Sequence, residues 1–304
     1  MVNVQTWLET QEKYNTPEKR SKVKLLDIGN VDFKGHLNLK EFTELEKIIA
    51  FNNEITSVDL SNNKKLEHID FSANPLKKLD TSNNPELNMI DIPNYQIEEL
   101  DLSKNTKLEK LFCPNNSLTA LSLKNNPKFS ACNLSLNKFT ELDFSGNPEL
   151  VYANCANNKL KKVNLKNNQK LTTFFLTNNK MEGELDFSNN PKLFTLFCPR
   201  NNISSFNFSK NKELRKLICL GNRELKFLDL SNTQILEKGL KRKSDDSSWD
   251  VPTVYTDLPK DKIKFSTINK KQEREQNQLK TLDLGWIGCY WSLHSRNYSG
   301  HGLV

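Results

Sequence analysis

The stretch Leu108-Glu-Lys-Leu111-Phe-Cys113-Pro-Asn-Asn116-Ser-Leu118-Thr-Ala-Leu121-Ser-Leu123-Lys-Asn-Asn126-Pro127 contains one pattern written twice. Leu111 and Cys113 stand two apart, so on an extended chain both face one way and Phe112 faces the other. Asn116 follows, and the order repeats as Leu118, Leu121, Leu123 and Asn126. Each half is a short strand closed by an Asn-marked bend. Val58, Leu79, Leu100, Leu121, Leu142 and Val163 open equivalent segments at steps of 21 residues, and Leu185, Phe206 and Leu228 continue at steps of 22, 21 and 22. A period in this range predicts a solenoid, because one coil cannot bury its apolar face alone and stacking supplies the core.

Two asparagine columns follow from the same alignment. The first is Asn53, Asn74, Asn116, Asn137, Asn158, Asn179, Asn201 and Asn222; the second is Asn63, Asn84, Asn105, Asn126, Asn147, Asn168, Asn190 and Asn211. A buried bend has backbone N–H and C=O groups to satisfy, and an amide side chain offers donors and an acceptor. We therefore expect structural ladders rather than a polar binding stripe, each amide also bonding its neighbour in the next coil. Tyr95 interrupts the first column, and Thr233 ends the second.

These residues carry a resemblance. L-x-x-L-x-L-x-x-N-x-L is the leucine-rich-repeat signature, and the nested form L-x-x-L-x-C/L-x-x-N-x-L-x-x-L-D-L-S-x-N resembles the IRREKO-type subclass, known from bacterial and fungal arrays. It spans about residues 26–235. The resemblance implies a leucine-rich-repeat solenoid of about ten coils, with a parallel sheet on the first-half, concave face and short strands and turns on the other. It implies a recognition role and carries over no catalytic residue. Little helix is expected outside an N-terminal cap, residues 1–25, where Val4, Trp7 and Leu8 share a helical face and Thr16-Pro17 reads as a helix start. Residues 26–235 form the solenoid, and 236–304 an irregular C-terminal cap or insertion with a partial repeat at 279–284.

Composition narrows the function. The 304 residues are 36% hydrophobic with net charge +7, and mean hydropathy is −0.67. The positive excess is spread along the chain rather than gathered into the stripe a nucleic-acid binder uses. No apolar run approaches a membrane span, and no signal-peptide pattern opens the chain, so a cytoplasmic protein is expected, with neither nucleic acid nor membrane as partner. Cys113, Cys155, Cys198 and Cys219 occupy one inward position and Cys132 another, so reduced core thiols are expected rather than disulfides.

Chemistry is sparse. No phosphate-binding glycine loop or nucleophile elbow occurs, and we assign no catalytic residue, cofactor or metal. Cys289, His294 and His301 offer three ligands at unusual spacing for zinc. His68 beside Asp70 reads as ordinary polarity. The column Asp59, Asp80, Asp101, Asp143, Asp186, Asp229 lacks the glycine-rich turns that wrap calcium and reads as an exposed strand column.

The outward sites separate the two halves of the coil. In the second half they are monotonous, mostly Asp. In the first they vary: Ile49, Asp70, Asp91, Phe112, Asn133, Asn154, Phe175, Phe197, Ile218. Varied sites with aromatics suit a partner. Phe112, Val151, Tyr152, Phe175, Phe194, Phe197 and Ile218 are the candidate contacts, clustered on coils six to nine with Arg200 and Arg215 beside them. The expectation is a non-enzymatic, monomeric scaffold that binds a protein. The alternative is a sensor of a small ligand, glycan or peptide in a pocket beside Tyr152 and Phe197, and an activity borne by the tail is less favoured.

Overall fold

The computed structural model describes residues 2–93, 97–236, 239–241 and 253–265. In each coil the L-x-x-L-x-L/C pattern yields a three-residue strand whose central side chain is buried. Strand Lys110–Phe112 buries Leu111, and Cys113 just beyond it is buried too, while Lys110 and Phe112 lie on the opposite face. Stacked in parallel register, the strands Lys47–Ile49, His68–Asp70, Met89–Asp91, Lys110–Phe112, Ala131–Asn133, Tyr152–Asn154, Thr173–Phe175, Thr195–Phe197 and Lys216–Ile218 follow one another in a twelve-stranded sheet. Leu25–Asp27 stands at one end; Thr253–Tyr255 and then Leu240–Lys241 extend the other. Second-half strands form separate two- and three-stranded ladders. The described residues form a parallel β-solenoid of about nine turns with little helix.

The core is one strip between the two strand sets. Ile69, Ile90, Leu111, Cys132, Ala153, Phe174, Leu196, Leu217 and Val254 succeed one another at strand centres, all fully buried. Where Cys132 and Ala153 make that row thin, Phe129, Phe139 and Phe144 are fully buried, which keeps the strip close-packed. At the N-terminus, helix Val4–Thr10 buries Val4 and Leu8, its start held by Asn3, whose side chain accepts the Thr6 amide. Trp7 packs on Phe33 at 4.8 Å between ring centroids. Helix Pro17–Arg20 starts at Thr16, as its sequence indicates.

The first Asn column binds each coil to the one before it. Asn137 donates through Nδ2 to Leu134 O at 3.2 Å in its own bend and to Cys113 O at 3.0 Å in the preceding coil. Its Oδ1 accepts the Leu118 amide of that preceding coil at 3.1 Å. Asn74, Asn116, Asn158, Asn179, Asn201 and Asn222 repeat this set. The second column uses its donors, and only Asn105 among the described residues of that column also accepts, from the Thr81 hydroxyl at 2.9 Å. Asn126 Nδ2 reaches Leu102 O at 3.1 Å and Asn105 O at 2.8 Å, and its Oδ1 receives no bond from the described residues.

The expectation that amides bond one another within these two columns is therefore corrected. Main-chain groups of the preceding coil lie within reach of every Asn and take its bonds instead. Thr233 closes the second column differently, its hydroxyl donating to Leu230 O at 2.8 Å and accepting the Ile235 amide at 3.1 Å. Tyr95 and the partial repeat at 279–284 lie outside the described residues, as do Cys289, His294 and His301.

The residue just before each first-column Asn takes the left-handed conformation. Asn52, Asn115, Asn157 and Asn178 do so with φ from 52° to 59°, and Gly221 with φ 73°. These residue types tolerate it. Leu136 and Arg200 adopt it too, at φ 57° and 58°, which shows that the bend dictates the backbone even against the side chain.

Removing a ladder amide is predicted to cost more in the first column than in the second. Asn137→Ala strands the Leu118 amide and lowers unfolding free energy by about 1–3 kcal/mol. Asn126→Ala frees only carbonyl acceptors and costs less. Lys138→Ala, on the surface, stays within about 0.5 kcal/mol. Denaturant titration of the three variants checks the order, and equal losses would contradict it.

Five cysteines, Cys113, Cys132, Cys155, Cys198 and Cys219, are free and buried. Burial pushes Cys113, Cys132 and Cys198 well above an ordinary thiol and Cys219 up to about 12. A thiolate-selective reagent at pH 8 is predicted to leave all five unmodified in the native protein and to modify them after denaturation. Mass spectrometry reads the result, and native modification of Cys113 would overturn the register.

Candidate partner-binding face

The outward position of each strand has a hydrogen-bonding duty that its residue type reveals. Asp143 Oδ1 accepts the amide of Ser145, two residues on, at 2.8 Å. Asp59, Asp80, Asp101, Asp186 and Asp229 do the same for Ser61, Ser82, Ser103, Ser188 and Ser231, and Asn164 and Asn207 serve Lys166 and Ser209. The Asp column is a series of Asx turns that closes each bend. The D-x-S spacing carried this signal, and reading the column only as exposed polarity missed it. For Asp59, Asp80 and Asp143 the Ser hydroxyl, then the Ser amide, holds the carboxyl below its ordinary range, Asp59 at about 2.

On the first-half sheet the duty is kept in some coils and given up in others. Asp70, Asn133 and Asn154 accept the amides of Ser72, Ser135 and Ala156. Phe112, Phe175, Phe197 and Ile218 in the same column have no acceptor to offer. In two of these coils Pro114 and Pro199 occupy the position two residues on, where proline has no N–H to be capped. At Phe112 and Phe197 the exchange of an acceptor for an aromatic therefore leaves no amide uncapped.

Four of the candidates stand together. Phe175 and Phe197 are paired in register and stacked at 4.7 Å with rings 20° apart. Ile218 follows in the next strand. Tyr152 lies against Phe175 at 5.8 Å. Lys216 stands over the Phe197 ring at 5.6 Å and Arg215 over the Phe194 ring at 5.5 Å, contacts of the cation–π kind. Val151 is 37% exposed. Phe112 is apart, because Asn133 and Asn154 separate it from Phe175 in the column.

Tyr152 needs a correction. It projects from the sheet as expected but is only 6% exposed. Its register neighbours are Ala131 and Thr173, small enough for the ring to lie down beside Phe175. Its role is to back the strip rather than to present a surface. His68 is also more enclosed than its sequence indicates: burial, with the charge of Lys47, holds its pKa down to about 4 against the opposing pull of Asp70. Asp70 is bonded to Ser72 rather than to the imidazole. A cavity of about 320 Å³ exists, but it lies between the strands Lys162–Asn164 and Glu182–Asp186, not beside Tyr152 and Phe197.

No metal-binding cluster of His, Cys, Asp and Glu occurs among the described residues, and no helix among them is long and apolar enough to cross a membrane. No protein-family model matches the sequence, and no curated protein does. Solved structures do. The functional domain of InlJ from Listeria monocytogenes, which includes a cysteine ladder, is 25% identical, with a TM-score of 0.52 covering 83% of this chain. The chain spans 66% of that domain, just under two thirds. The internalin inlF of Listeria monocytogenes is 16% identical, with a TM-score of 0.60 over 88% of this chain and 94% of its own. The leucine-rich-repeat domain of APL1B is 18% identical, with a TM-score of 0.55 over 81% and 76%. The fold is that of leucine-rich-repeat solenoids.

The Asx turns make the fold acid-sensitive in a defined window. Carboxyls held below their unfolded value near 3.9 contribute stability that is complete above that value and lost as pH falls through the folded pKa. Stability is predicted to decline first between about pH 6.5 and 4, where the unfolded chain protonates His68 and the folded chain does not, and further between about 4 and 2 as the Asx carboxyls take up protons. Asp143→Asn keeps the acceptor, as Asn164 shows, and should flatten the second decline, whereas Asp143→Ala should cost about 1 kcal/mol at pH 7. Denaturant midpoints across the pH range test both statements.

Proposed function

We propose that this protein is a non-enzymatic, monomeric binding scaffold of the cytoplasm, built from IRREKO-type repeats, which recognises a protein partner through the first-half sheet around Phe175 and Phe197. The observation that carries the reading is the exchange along one column. Asp70, Asn133 and Asn154 there cap the bend, whereas Phe112, Phe175, Phe197 and Ile218 offer no acceptor, and at Phe112 and Phe197 the following Pro114 and Pro199 remove the need for one. Stacked aromatics on a rigid sheet, with Lys216 and Arg215 over their rings, have the composition of interface anchors. Val151, Phe194 and Ile218 extend the strip, and Tyr152 supports it from beneath. The fold shared with internalins and with the APL1B repeat domain supports recognition by surface rather than by chemistry.

The test is Phe197→Asp in the intact chain, compared with wild type by proximity labelling and by pull-down. Specific partners should be lost, while unfolding free energy falls by no more than the ~0.5–1.5 kcal/mol an aromatic pair is worth. Recovery of the same partners by the folded variant would remove this face as the binding surface. Phe112→Asp, off the strip, should retain them.

A further inference from the structure

One coil departs from the spacing of those before it. Leu185 follows Val163 by 22 residues rather than 21, and the extra residue falls within Glu182-Gly183-Glu184. Gly183 takes φ 70°, a conformation costly for any residue with a Cβ, and a Cβ there would meet nothing within 4 Å. The arched strand Glu182–Asp186 pairs with Asn202–Asn207 on its far side. On its near side it does not pair with Lys162–Asn164, which among the described residues pairs only with Glu141–Asp143. Two strand edges thus face each other without a ladder.

The parting is local. The Lys180 amide still donates to Leu160 O at 2.9 Å at one end. Asn190 Nδ2 donates to Leu165 O at 3.1 Å at the other. Between these stitches lies the cavity of about 320 Å³, at the lower end of ligand-sized pockets. Its floor reaches the core side chains Phe174, Leu176, Met181 and Phe187. Its two lips carry opposite charge: Lys162 and Lys166 on one, Glu184 and Asp186 on the other. Among the described residues no ion pair spans them.

The molecule holds a precedent for what fits such an edge. Phe33-Lys-Gly35-His-Leu37 has the same arrangement as Met181-Glu-Gly183-Glu-Leu185, with Gly35 at φ 98°. There a two-residue extended segment, Val2–Asn3, pairs in parallel with Phe33 and Lys34. We propose that the cleft between Lys162–Asn164 and Glu182–Asp186 binds a short extended apolar peptide of dipeptide size with free ends. It spans the cleft from lip to lip: an apolar side chain descends to Phe174 and Phe187, the carboxylate lies toward Lys162 and Lys166, and the ammonium toward Glu184 and Asp186, with the unpaired strand edges lining its path. This site is on the opposite side of the coil from the aromatic strip and does not depend on it.

Isothermal titration calorimetry of the full chain with the dipeptide Phe-Leu tests the proposal. Saturable binding is expected, weakened at least tenfold in the N-acetylated, C-amidated form and in Glu184→Lys. Deleting Gly183 restores the 21-residue step, and should close the cleft and abolish binding with the melting temperature held or raised. If that deletion does not fold, Val163→Trp, which fills the cleft from the other lip, should abolish binding instead. Phe197→Asp should bind Phe-Leu as wild type does. Absence of binding at millimolar dipeptide, equal affinity for the blocked form, or full binding by a folded deletion or Val163→Trp variant would overturn the proposal.

Discussion

The bond from one asparagine side chain to the main chain of the preceding coil is the constraint on which the rest of this structure depends. A bend every ten or eleven residues leaves backbone groups turned inward, where no water reaches them and where an unmet group is expensive. One amide per coil, in the first column, answers for its own bend and for its neighbour's: Asn137 accepts from Leu118 and donates to Cys113. Because the bonds cross between coils, they fix the stacking register along with the turn. The thin apolar strip needs that help. Its row of one buried side chain per strand cannot by itself prevent a coil from sliding.

With the bends secured from inside, the outer face of each strand is left with one remaining task, the Asx cap. Most coils perform it with Asp or Asn. Those that do not are where the sheet face becomes apolar, and in the coils of Phe112 and Phe197 a proline has removed the amide that would have required a cap. The aromatic strip is thus a local release from a folding requirement. The cleft beside Gly183 lies where a single extra residue arches one strand, while the asparagine bonds at Leu165 and Asn168 keep the coils joined.

Much of this was legible in the sequence because the repeat is strict. The inward register of Leu111, Cys113 and Cys132 and the membership of both asparagine columns follow from spacing alone. What spacing within a coil does not contain is the relation between coils. Tyr152 is buried because Ala131 and Thr173, one repeat away on either side, are small. The amides bond backbone rather than each other because the preceding coil presents a carbonyl and an N–H at the right height. The step of 22 at Leu185 marks an insertion, yet which of two edges it frees is settled by pairing with Asn202–Asn207, a choice made in three dimensions. The separation of Phe112 from the strip could have been read from Asn133 and Asn154.

The central claim, that side-chain amides carry the stack, has a direct readout in native-state hydrogen exchange. The amides of Ile55, Ile97, Leu118, Phe139, Leu160, Met181 and Ile203 each donate to an asparagine Oδ1 of the following coil. They sit at bends, where amides ordinarily exchange fast. If the account is right, they exchange only with global or whole-coil unfolding, as slowly as the strand amides of Leu111 and Phe174. Exchange at the rate of exposed turns, with the strand amides still protected, would contradict it.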